Sequence, residues 1–164
     1  MKASLLGRNH DAELAAFCCC PEGAPGWQQE VETFLRTAVF RRADYVVGLW
    51  DGGQLVGVSG FNPITIKGLP VASPIDLPGW DLIVIGVSLD QQQNGHGKTI
   101  LAETLKIMAQ TDPTRTLVSA RAHRENHVSI YVCAEAGIEA LPPPDGDYIR
   151  LIGGVPGTAV PNWL

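Results

Sequence analysis

Gln92, Gln93, Asn94, Gly95, His96, Gly97 and Lys98 set two glycines among polar residues immediately before an apolar-periodic segment. Such a stretch can hold an anion. Successive backbone N–H groups, glycines that allow close approach and the positive end of a helix dipole together favour a phosphate. Lys98 opposes that dipole at a helix start, a penalty that a bound phosphate reverses, so it is expected to face one. Two familiar phosphate patterns fail on spacing. A P-loop needs glycine five residues before the Gly of Gly97-Lys98-Thr99, where the chain has Gln92, and a dinucleotide fingerprint needs glycine where it has Ile100.

The flanking elements must position this loop. Leu82 to Val87 is an apolar, β-branched run suited to a central strand, while Ile100, Leu101, Leu105 and Met108 share one helical face. The loop therefore joins a strand to a helix start. Gly86 inside the strand marks a bulge or the close approach of a backbone or ligand, with accommodation of a bulky neighbour as the competing reading.

The segment Val87 to Gly97 resembles the signature of the GNAT superfamily of acyl-CoA-dependent N-acyltransferases, an apolar strand followed by Q/R-x-x-G-x-G/A and a helix. Gln92, Gly95 and Gly97 fill its fixed positions. Downstream, a strand from about Thr116 to Ala122, then Asn126, a helix and Gly137-Ile138 resemble that family's terminal segment, so the resemblance is specific from Asp81 to Ile138. It implies acetyl-CoA as cosubstrate, no metal, and contacts to it from Ile85, Val87, Ser88, Leu89, Gln92, Gln93, Asn94, Gly95, His96, Gly97, Lys98 and Asn126. By the same resemblance the Val87 N–H stabilises the developing oxyanion, and Asp81 stands where one branch carries a strand glutamate that serves as base. The position of the family's tyrosine, the leaving-group acid, falls on Cys133. A thiol with an ordinary pKa near 8.5 could in principle protonate a thiolate, whereas buried cysteine is more often inert. Tyr131 lies about 200° round the helix and faces elsewhere.

Composition sets the frame. With 164 residues, 45% of them hydrophobic, the chain is expected to form one domain, 1–164. The resemblance implies an α/β (α+β) class, a mixed, mostly antiparallel sheet of about six or seven strands with helices on both faces. A helix is expected from Trp27 to Val39, a hairpin from Tyr45–Trp50 and Gln54–Phe61, a helix after the Asn126 N-cap, and a last strand from Tyr148 to Ile152. Asn62 to Gly79 carries Pro63, Pro70, Pro74 and Pro78 and reads as a loop or edge excursion. Cys18, Cys19 and Cys20 form no zinc framework and read as free thiols, and the histidines as solvated or capping. No apolar run approaches the roughly 20 residues of a membrane span, so the expected location is cytoplasmic, with no membrane partner. A net charge of -5 predicts no general attraction to nucleic acid and tolerates a cationic acceptor. The resemblance implies a small-molecule or peptide amine as acceptor, no nucleic acid is expected, and the oligomeric state stays open, a homodimer included.

The expected activity is N-acetyl transfer from acetyl-CoA to a primary amine by direct attack in a ternary complex. The alternative is a non-catalytic acyl-CoA-binding domain, and an NTP-binding protein survives only through Gly97-Lys98-Thr99.

Overall fold

The computed structural model describes residues 1–67 and 76–158. Its strands are β1 (Lys2–Leu5), β2 (Tyr45–Asp51), β3 (Gln54–Ile66), β4 (Leu77–Val87), β5 (Leu117–His123), β6 (Ile138–Asp145) and β7 (Tyr148–Gly154). They form a seven-stranded sheet in the order β1-β2-β3-β4-β5-β7-β6. The pairs β1/β2, β2/β3, β5/β7 and β6/β7 are antiparallel, and β4/β5 is parallel. The helices are α1 (Asp11–Ala15), α2 (Gly26–Thr37), α3 (Val39–Arg42), α4 (His96–Thr111) and α5 (His127–Glu135). Helix α4 makes the long crossover that a parallel pair requires. The mixed, mostly antiparallel fold expected from the resemblance is the fold observed.

The chain divides into two compact units, Met1–Phe61 with Ile83–Leu101, and Asn62–Leu82 with Ala102–Leu164. In the first, Leu6, Leu14, Phe17, Leu35, Val39, Val46, Leu55, Val58 and Val84 form one buried cluster. Gly86 belongs to this packing. A Cβ there would run into Leu35 and lie 3.3 Å from the Phe17 ring, so the glycine accommodates bulky neighbours. In the second unit Ile66, Leu117 and Ile152 are buried together, and Arg115 donates to Ile64 O (2.9 Å) and Gly79 O (3.1 Å) while lying 5.5 Å from the Trp80 ring.

Two strands depart from the sequence reading. β3 continues through Pro63 to Ile66, and β4 starts at Leu77 with Pro78 inside it, so the proline-bearing excursion is shorter than expected; Pro70 and Pro74 lie outside the described residues. β6 contains Pro142, Pro143 and Pro144. It is an edge strand whose register with β7 shifts between Leu141 and Asp145, which is where a sheet tolerates residues without an N–H.

Candidate active site

Strand β4 presents two chemically different faces. Trp80, Leu82, Val84 and Gly86 are buried, whereas Asp81, Ile83, Ile85 and Val87 are half-buried on the other face. Its backbone edge is divided too. Ser88 N–H donates to Val56 O of β3 (2.9 Å), so alternation along the strand turns the N–H groups of Ile83, Ile85 and Val87 to the opposite edge. On that edge the ladder with β5 runs from Gly79↔Leu117 to Leu82↔Ala120 and goes no further. The Ile85 and Val87 amides take no part in that ladder.

The following loop turns on two left-handed residues, Gln93 (φ 66°) and Gly95 (φ 80°). A left-handed conformation in a residue other than glycine is strained and tends to persist where structure and function require it. Lys98 N–H and Thr99 N–H both donate to Gly95 O (3.1 and 3.2 Å), which starts α4 and leaves the His96 and Gly97 amides at its open N-terminal end. Gln92, Gln93, Asn94, Gly95 and Lys98 are exposed. The strand, loop and helix start follow one another as the residue types led one to expect.

Several predicted contact residues sit differently. Ser88 and Leu89 have committed their N–H groups to Val56 O and Cys18 O (2.8 Å), and Ser88 Oγ donates to Asp90 (2.6 Å), so their backbone donors are not available to a phosphate. The Gln92 side chain is a brace. Its Nε2 donates to Cys19 O (2.7 Å) and Val87 O (3.2 Å), and its backbone N–H donates to Leu89 O (3.5 Å). His96 is buried rather than solvated, and its Nδ1 has no hydrogen-bond partner among the described residues. An orphaned polar atom within this loop fits a polar ligand.

In the second unit Asp81 is aligned with Ser119 of β5, and Arg121 is paired with Arg150 of β7. Burial pushes the Asp81 carboxyl above the usual carboxylate range, while Arg121 and Arg150 pull it back. Arg121 is itself ion-paired with Asp145 (2.8 Å) and lies 5.4 Å from the Tyr148 ring. Asn126 caps α5 by accepting from Ser129 N–H (3.1 Å), which fixes the helix that carries Cys133. Cys133 is 4% exposed, and burial alone pushes its thiol up to about 11. Tyr131 is exposed and bonds Glu135 on its own helix.

No protein-family model and no curated protein matches the chain. Solved structures match nearly all of it. AtaTR bound with acetyl-CoA aligns with a TM-score of 0.71 at 16% identity, over 94% of this chain and 92% of that one. The chain has the GNAT fold. Two further GNAT-fold neighbours are AtaT complexed with acetyl-methionyl-tRNAfMet (TM-score 0.67, 16% identity, 91% and 92% covered) and the AtaT–AtaR complex bound to DNA (0.67, 17%, 94% and 95%).

These neighbours correct the expected partners. The resemblance led to a small-molecule or peptide amine acceptor and the net charge of -5 to no nucleic acid, yet structures sharing this fold are in complex with tRNA and DNA. Net charge averages over a surface, and phosphate contact depends on local potential. Among the described residues no helix is long and apolar enough to cross a membrane, and no three His, Cys, Asp or Glu side chains group to hold a metal.

Proposed function

We propose that the chain transfers an acetyl group from acetyl-CoA to the α-amino group of an aminoacyl-tRNA. The observation that carries this reading is the acetyl-methionyl-tRNAfMet held by a neighbour of the same fold. The chain's own groups suit the chemistry. The backbone amides from Gln93 to Gly97 hold the pyrophosphate, and the edge of β4 beyond its ladder with β5 takes the pantetheine arm, with the Val87 N–H polarising the thioester carbonyl.

An α-amine also fits the modest acid–base equipment. Its pKa of about 7.7–8.0 means that deprotonation at pH 7.4 costs about 0.5 kcal/mol, against about 4 kcal/mol for a lysine. Asp81, raised by burial, accepts that proton directly or through water. Cys133 is a poor acid for the leaving group. With its thiol near 11 and an ordinary thiol near 8.5, proton transfer to the CoA thiolate runs uphill by about 3 kcal/mol, so the thiolate departs without it.

The test is thiol release from acetyl-CoA by the purified protein with charged tRNA and with the same tRNA deacylated. Release that requires the aminoacyl group supports the proposal. Stabilisation by CoA with no release from any charged tRNA would instead favour a non-catalytic acyl-CoA-binding protein.

A further inference from the structure

Helix α2 reaches the phosphate loop through two peptide groups. Glu32 Oε2 accepts the N–H of Cys19 (2.7 Å) and the N–H of Cys20 (3.0 Å), and Oε1 is paired with Arg36 (3.4 Å). The carbonyl ends of those same two peptides face the loop. Cys18 O, bonded to the peptide that carries Cys19 N–H, accepts from Leu89 N–H at 2.8 Å. Cys19 O, in the peptide that carries Cys20 N–H, accepts from Gln92 Nε2 at 2.7 Å. A trans peptide points its N–H and C=O in opposite directions, so an anion at the N–H end orients the unit and strengthens the acceptor at the other. The Cys19 side chain offers no competing explanation in thiolate chemistry. Burial, and then Glu32, push the Cys19 thiol up to about 12, so it stays protonated.

We infer that Glu32 is a positioning residue for the pyrophosphate loop, acting through the Cys18–Cys19 and Cys19–Cys20 peptides on Leu89 and Gln92. The inference rests on the acetyl-CoA reading above. Arg36 fixes the lever from behind, since its Nε also donates to Ala15 O (2.8 Å) at the end of α1. Gln92 passes the constraint on, because the same Nε2 holds Val87 O at the end of β4. The carboxylate is held at about 2: burial pushes it up, and the N–H groups of Cys19 and Cys20 more than reverse that. Glu32 therefore remains an anion throughout the physiological range.

The test is calorimetric titration of the full chain with CoA and, separately, with pantetheine, which has the arm but no phosphates. Glu32→Gln removes the charge, and Glu32→Asp keeps it on a shorter stem. The expected result is a Kd for CoA at least tenfold higher in Glu32→Gln, an intermediate value in Glu32→Asp, and a change of less than threefold for pantetheine in both. Equal losses for CoA and pantetheine would show a merely structural role, and wild-type CoA affinity in Glu32→Gln would show no role; either result overturns the inference. Should Glu32→Gln not fold, Glu32→Asp decides by the same comparison. If the wild type bound no CoA, the acetyl-CoA reading itself would fall and this assignment with it.

Discussion

Leu82 and Ala120 are the last residues that pair β4 with β5. Beyond them the Ile85 and Val87 amides face an edge that this ladder does not cover, while the alternating Gly86 amide faces β3. Binding of CoA is therefore expected to slow amide hydrogen exchange at Ile85 and Val87 more than at Gly86, measured residue by residue by NMR. Equal slowing at all three would indicate general stiffening instead of strand-like pairing with the arm.

Gly95 tests the loop by its backbone alone. Its φ of 80° is unfavourable for a residue with a Cβ, yet an added Cβ would have nothing within 4 Å. Gly95→Ala should strain the loop by about 1 kcal/mol without a clash and raise the Kd for CoA roughly fivefold. A titration showing unchanged affinity would place the phosphates elsewhere.

Asp81 should impose an acid limb on the rate. Its pKa is raised, so the basic form is lost earlier than an ordinary aspartate's as pH falls. Asp81→Asn is expected to lower kcat/KM by about a hundredfold near pH 6.5 and by much less near pH 8.5, where the α-amine is already neutral. A pH–rate profile with the same deficit at every pH would remove the base role.

Cys133→Ala is expected to cost about 1 kcal/mol of stability through lost packing and to change kcat less than threefold. Denaturant unfolding and steady-state kinetics measure the two effects. A tenfold or greater fall in kcat in a stably folded variant would restore the thiol as proton donor.

Glu32 links folding to pH with a definite sign. Its pKa is lowered from 4.5 to about 2 in the folded chain, so it stabilises the fold above pH 4.5 and loses that contribution as pH falls toward 2. Wild-type stability should drop across that window, and the drop should be smaller in Glu32→Gln. Parallel acid-unfolding curves would contradict the assigned hydrogen bonds.

The parts that were legible in the sequence were local. Gln92, Gly95 and Gly97 announced a turn into a helix because the turn glycine and the helix start lie within a few residues, and Asn126 announced its cap for the same reason. The peptide lever was not legible, because Glu32 meets Cys19 and Cys20 across 13 and 12 residues and only tertiary packing sets that contact. β1 escaped notice as a four-residue edge strand, and so did β6, whose prolines an edge position permits. His96 looked solvated among polar neighbours, although the turn into α4 buries it. Nucleic acid was not expected as a partner because a summed charge carries no information about where the charges lie.

The most direct measurement follows the acetyl carbon. After reaction with acetyl-labelled acetyl-CoA and charged tRNA, nuclease digestion and mass spectrometry should find N-acetyl-aminoacyl-adenosine, with no label on deacylated tRNA. Label absent from the aminoacyl group, in a protein shown to bind acetyl-CoA, would contradict the account.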